Sequence, residues 1–211
     1  MIAYAYPRAS TALLMIDPMN DFVHPQGKLW PYLQGEAEKV GLVANQKRAL
    51  EGARAAGLRV VYVPHHRHAE GDYEHFRFLN PTHQASIPMR VFPRDGWGGE
   101  WLEDLKPLPG DLICAEHWFQ SGFQNTDLDY LLRQHGIDHL VLTGQRTNAC
   151  FEMTGRYGVE LGYHVTLLRD ATAAFTTLDI EGTFNTARTW AHQVLTTDAF
   201  VAAISSVPAA A

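Results

Sequence analysis

"HLVLTGQRTNACFEMTGRYGVELGYHVTLLR", residues 139–169, carries the pattern that decides the fold. Its ends, "HLVLT" (139–143) and "HVTLLR" (164–169), are short apolar runs without polar alternation. Such runs suit parallel strands covered on both faces. Between them, "CFEMTGRYGVELG" (150–162) reads as a helix weakened by the internal Gly155 and Gly158. A strand, turn, helix and strand in this order form the repeating unit of a doubly wound α/β sheet.

The same grammar extends in both directions. "TALLMI" (11–16), "LRVVYV" (58–63) and "DLICA" (111–115) read as further buried strands, and another is expected near "VLTT" (194–197). Residues 35–57 place Val40, Val43, Ala44, Leu50 and Ala53 at helical spacing, with Gly57 as a stop. "TDLDYLLRQHG" (126–136) opens on the cap Thr126 and ends at Gly136, and "DIEGTFNTARTWAHQV" (179–194) is a further helix. The expectation is one α/β domain over residues 1–211, a three-layer doubly wound architecture with a mainly parallel sheet. Residues 65–110 are rich in Pro, Gly, His and aromatic side chains and show no period. A loop that long is functional or hides short elements. The tail "VAAISSVPAAA" (201–211) is expected to fray.

Composition narrows the function. Hydrophobic residues are 46% of the 211 and charged residues 19%, enough to bury a core, and the formal net charge is -6. A mildly acidic chain is a poor partner for nucleic acid. No apolar run approaches the roughly 20 residues that span a bilayer, so no membrane partner is expected. The N-terminus has no charged segment ahead of its apolar stretch, so no secretory signal is expected either. The two cysteines, Cys114 and Cys150, are too few for a disulfide framework and fit a reducing cytoplasm.

In open α/β sheets ligands bind beyond the carboxyl ends of the strands. The residues at those exits are Asp17, His65 and His66, His117, Cys150, and Asp170. In a parallel sheet Asp17, His117 and Cys150 can meet on one rim. There a thiol beside a carboxylate that accepts its proton becomes a nucleophile, and a helix start would favour the thiolate. Two bland readings stand beside this one: Cys150 as a small buried hydrophobe and Asp17 as a strand-end cap. Cys114, inside an apolar strand, reads as packing.

"TALLMIDPMNDF" (11–22), "SGFQNTDLDYLLRQHGIDHLVLTG" (121–144) and "GQRTNACFEMTGRYGVELGYHVTLLRDATAAF" (144–175), in this order and spacing, resemble the isochorismatase-like cysteine hydrolases. That family includes nicotinamidases, N-carbamoylsarcosine amidohydrolases, biuret hydrolases and ureidoacrylate or maleamate amidohydrolases. The resemblance covers most of the chain and implies the Rossmann-like isochorismatase fold. It implies Asp17 as the catalytic acid and base and Cys150 as the nucleophile, with the backbone N–H groups of Arg146 and Cys150 as the oxyanion hole. It also implies a cis peptide between Gln145 and Arg146. One position departs: where the family has a catalytic lysine, this chain has His117. The expected triad is Asp17–His117–Cys150, with a histidine, which titrates near neutrality, in the lysine role. The expected reaction is hydrolysis of a small-molecule C–N bond in an amide, ureide or carbamoyl compound through a thioester. The alternatives are vinyl-ether hydrolysis of the isochorismatase type with Cys150 idle, or a silent binding or scaffold member of the family.

"VPHHRHAEGDYEHF" (63–76) is a second dense patch in which His65, His66, His68, Glu70, Asp72 and His75 could hold zinc. The Asp–x–His spacing of the family's metal-dependent nicotinamidases is missing here, so neither metal nor cofactor is expected. Phe22, His65 and Trp118 are the candidate walls of the substrate pocket. As in many family members, a homo-oligomer, dimer or tetramer, is expected.

Overall fold

Six strands run parallel in the order β3-β2-β1-β4-β5-β6: β1 (Thr11–Ile16), β2 (Arg59–Val63), β3 (Leu112–Ile113), β4 (His139–Gly144), β5 (His164–Leu168) and β6 (Gln193–Leu195). The structure is a computed structural model and describes residues 5–205. In the central register Leu13 lies opposite Val60 on one side and Val141 on the other. Successive side chains alternate between two hydrophobic layers. Leu13, Met15, Val60, Tyr62 and Val141 face one of them. Leu14, Ile16, Val61, Leu140 and Leu142 face the other. Both faces are covered, and for that reason the strands carry no polar alternation.

The first layer is closed by α2 (Trp30–Val40), α3 (Leu42–Ala55) and α8 (Thr197–Ser205), through Leu33, Leu50, Ala53, Phe200 and Ile204. The second is closed by α5 (Leu128–Gln134), α6 (Glu152–Glu160) and α7 (Thr177–Ala187). The glycines that weaken α6 as a helix let it lie close to the sheet. A Cβ on Gly158 would sit 3.2 Å from Val165 and 3.3 Å from Leu140, and one on Gly155 would sit 3.0 Å from the Trp190 ring.

Four expectations change. The helix read over 179–194 is α7, which starts at Thr177 and stops at Ala187, and Gln193–Leu195 is already β6. The helix read over 35–57 is two helices, because Gly41 is left-handed at φ 64 and breaks it, while α2 begins earlier at Trp30 with Pro31 in its first turn. The apolar spacing of Val40 and Val43 runs across the break and masks it. The long loop contains α4 (Pro81–Met89), whose N-terminus is capped by Asn80 accepting the His83 N–H at 3.0 Å, and two 3₁₀ turns at Trp97–Gly99 and Glu103–Leu105. With Pro88 inside it, α4 shows little sequence signature. The tail does not fray from residue 201: α8 continues to Ser205 and buries Ile204 against the α3 side of the core. Residues 206–211 of that tail lie outside the described residues.

Gly144 ends β4 at φ 119, and a Cβ there would lie 2.1 Å from the Ile16 carbonyl oxygen. Gly144→Ala must therefore push β4 away from β1. A loss of about 2–4 kcal/mol in urea unfolding is expected from overpacking and backbone strain together. Gly182→Ala, in the exposed part of α7 where a Cβ meets nothing within 4 Å, is the control and should be neutral or stabilising by up to about 1 kcal/mol.

Candidate active site

The sheet reverses its winding at β1, which pairs with β2 on one edge and β4 on the other. A crevice opens at such a switch point beyond the carboxyl ends. Asp17 leaves β1 with φ 54, a left-handed conformation that aspartate adopts more readily than most residues. Its N–H donates to Val63 at 3.1 Å, and its carbonyl accepts from the Gln145 side chain at 2.5 Å. His117 follows β3 alongside the end of β2: its N–H donates to Pro64 at 3.0 Å and its carbonyl accepts from His66 at 2.8 Å. Cys150 follows β4. The Gln145–Arg146 peptide is cis, and the chain then makes a wide turn over Thr147–Phe151 in which the Arg146 carbonyl accepts from Ala149 at 3.0 Å and Phe151 at 3.2 Å.

These turns bring the three side chains together. One donor or acceptor atom each of Asp17, His117 and Cys150 lies within 4.8 Å of the other two. Nε2 of His117 is 3.0 Å from Oδ1 of Asp17, and both side chains are fully buried. The second carboxylate oxygen, Oδ2, has no hydrogen-bond partner among the described residues. The Cys150 sulfur lies 3.8 Å from the Phe119 carbonyl. Burial, and then the Asp17 carboxylate, push the Cys150 thiol well above its ordinary range; the Arg146 guanidinium and backbone N–H oppose that rise. The expectation that a helix start would favour the thiolate is therefore corrected. The α-helix begins only at Glu152, beyond the wide turn that holds Cys150. Cys114 is also pushed up, chiefly by burial.

Through Cys150 the cluster borders a cavity of about 410 Å³ walled by Phe22, Met89, Phe92, Phe119 and Phe175, with His65 and Arg146 also on its surface. His65 packs edge-on to His117 with ring centres 5.1 Å apart. Burial, and then the neighbouring His117, hold His65 down to about 4, so it is neutral at pH 7. Trp118 does not line this cavity. The chain bends over Trp118–Gln120: Phe119 lines the cavity, and Trp118 is stacked on His66 at 3.7 Å. The side chains of the histidine-rich loop pair with one another and with acids and rings. His66 is held by Asp72 at 2.7 Å and Glu116 at 3.3 Å, and His68 stacks against Tyr73. Among the described residues, only Asp17, His117 and Cys150 form a group of potential ligands.

Sequence reasoning missed Gln46. It is fully buried, donates to Gln145 Oε1 at 2.8 Å and to the Ala171 carbonyl at 3.2 Å, and thereby fixes the turn that carries Cys150. The signal was present: Gln46 is a polar residue on the buried stripe Leu42, Ala49, Leu50 and Ala53 of α3.

The isochorismatase domain family matches residues 11–199. A ureidoacrylate amidohydrolase, RutB, of Pantoea ananatis is 33% identical over 81% of this chain and 72% of its own. A cysteine hydrolase from Pseudomonas syringae superposes with a TM-score of 0.82 at 28% identity, over 97% of this chain and 96% of that one. An N-carbamoylsarcosine amidase from Thermoplasma acidophilum does so with a TM-score of 0.70 at 28% identity, over 90% and 97%. The chain belongs to the isochorismatase-like cysteine hydrolase family.

Proposed function

We propose that this protein hydrolyses a C–N bond in a small amide, ureide or carbamoyl compound, with Cys150 as the nucleophile and a thioester as the intermediate. The observation that carries this reading is the buried cluster of Asp17, His117 and Cys150, whose Cys150 lines a cavity sized for a small molecule. The ureidoacrylate amidohydrolase and N-carbamoylsarcosine amidase relatives support it.

Because the thiol is held protonated, attack and proton transfer are coupled. Asp17 takes the thiol proton on Oδ2 as the sulfur adds to the substrate carbonyl. The backbone N–H groups of Arg146 and Cys150 receive the oxyanion. Asp17 then returns the proton to the leaving nitrogen, and the amine departs. Water attacks the thioester, Asp17 takes a proton from it, and the acid is released as the thiol reforms. His117 occupies the position of the family lysine. Its ring nitrogen, 3.0 Å from Oδ1, holds the carboxylate in place and leaves the other oxygen for the sulfur. Phe22 and His65 contact the substrate body. No helix of the described residues is long and apolar enough to cross a membrane. Two free cysteines support a cytoplasmic setting. The exposed rings of Phe76 and Phe78, just ahead of the cavity-wall helix α4, support a homo-oligomer, dimer or tetramer, which sedimentation would read out.

Cys150→Ser and Asp17→Asn should each lower kcat by roughly 10³-fold, in line with loss of a nucleophile or its general base, with circular dichroism unchanged. His117→Gln, which keeps a side-chain donor, should retain more turnover than His117→Ala; equal losses would remove His117 from the positioning role. His65, held down to about 4, is neutral throughout pH 5–8. The shape of the pH–rate profile over that range should therefore be the same in wild type and His65→Asn, whatever the change in KM.

A further inference from the structure

Three donors of different chemistry meet beyond the ends of the strands: a carboxylate oxygen of Asp17, an imidazole nitrogen of His117 and the sulfur of Cys150. One such atom from each lies within 4.8 Å of the other two, and all three residues are buried. Oxygen, nitrogen and sulfur in one set is the donor mixture of a zinc site. The thiolate favours zinc or cobalt over magnesium or calcium. Bond lengths of about 2.0–2.3 Å separate the donors of a tetrahedral zinc by roughly 3.3–3.6 Å. Nε2 of His117 and Oδ1 of Asp17 are already 3.0 Å apart. Closing the set on an ion asks for a shift of about 1 Å between donors, within the reach of side-chain torsions.

Two further observations point to a cation. Oδ2 of Asp17 and Nδ1 of His117 are buried and have no hydrogen-bond partner among the described residues. A buried carboxylate and a buried imidazole, each with an atom unused, gain from an ion that binds them both. Cys150 also lines the cavity, which gives an ion a way in and a fourth ligand, water, a place to sit. The histidine-rich loop is the competing site. Its His66 is engaged by Asp72 and Glu116, its His68 by Tyr73, and it offers no sulfur.

We propose that Asp17, His117 and Cys150 together bind a zinc-like divalent cation, and that the bound ion silences the Cys150 sulfur. The silencing rests on the reading of Cys150 as the nucleophile; the binding does not. An ion on all three side chains occupies the sulfur and ties up the carboxylate that would take its proton. Coordination releases the thiol proton to solvent. Burial and the Asp17 carboxylate hold that proton, but a divalent ion brings two positive charges into the cluster and deprotonates a coordinating thiol outright. Two features weaken the site. The Arg146 guanidinium is on the wall of the same cavity and opposes a cation. Nδ1 of His117 lacks the outer partner that ordinarily fixes a ligating imidazole. The ion is therefore held less tightly than in a closed structural zinc site, and a chelator removes it.

The probes are Co²⁺ and Zn²⁺, titrated under argon into the full chain, without a histidine tag, after dialysis against chelator. Co²⁺ should give a thiolate-to-cobalt charge-transfer band in the near ultraviolet that saturates at one ion per chain. Zn²⁺, the tighter binder of the two, should erase it. Cys150→Ser should lose the band with circular dichroism unchanged. His117→Lys, whose ammonium has no lone pair to give, should bind Co²⁺ more than about 100-fold more weakly, beyond the cost of losing an outer partner. His68→Gln, in the histidine-rich loop, should titrate as wild type. With Zn²⁺ at about ten times its Kd, iodoacetamide alkylation of Cys150, read by peptide mass spectrometry, should slow by about tenfold, in proportion to the chains left free, and EDTA should restore it. A wild type without the band overturns the site. So does a band that survives Cys150→Ser or is lost in His68→Gln, or a His117→Lys variant that binds Co²⁺ as wild type does. A band with unslowed alkylation overturns the silencing. If turnover survives in Cys150→Ala and the nucleophile reading fails, the cobalt band still reports on the site.

Discussion

The hydrogen-bonded pair of Asp17 and His117 organises this protein. A carboxylate with no solvent exposure is costly to bury, and here one oxygen is held by an equally buried imidazole at 3.0 Å while the other has no hydrogen-bond partner among the described residues. A fold selected for stability alone would satisfy that second oxygen. In the proposed mechanism this open oxygen beside the thiol is the proton acceptor. The surrounding architecture serves this pair: β1 delivers Asp17, the extension of β3 along β2 delivers His117, and the turn after β4 delivers the sulfur. Gln145 locks the turn to the Asp17 carbonyl, and Gln46 locks Gln145. Asp17 and Cys150 leave the neighbouring strands β1 and β4, and His117 reaches them from beyond β3 along the end of β2, so their approach follows from topology rather than from any local motif.

The raised thiol changes the chemical picture. A preformed thiolate would be reactive toward any electrophile that entered. In the proposed mechanism the proton leaves only as the sulfur attacks, so the thiol is quiet until a carbonyl is aligned with it. Burial and the Asp17 charge both act in this direction, with Arg146 as the opposing cation. The histidine at 117 fits this scheme as a holder of the carboxylate.

The strands were legible because both their faces are buried, which writes them as continuous apolar runs at 11–16, 58–63, 139–143 and 164–169. The strand exits then pointed to Asp17, His117 and Cys150, and the parallel sheet brings these together. What was not legible depends on backbone torsion or on side-chain direction. Gly41 breaks a helix whose apolar spacing continues across it. Trp118 and Phe119 are neighbours of equal aromatic character, and only the bend of the chain there decides which of them reaches the cavity.

The most direct test is to trap the acyl-enzyme. The protein is mixed with a panel of amides, ureides and carbamoyl compounds, ureidoacrylate among them, quenched in acid, and the Cys150 peptide weighed. The account predicts that every compound turned over leaves its acyl mass on Cys150, removable by hydroxylamine, and that Cys150→Ala shows neither adduct nor turnover. Turnover that persists in Cys150→Ala, with no adduct in the wild type, would contradict it.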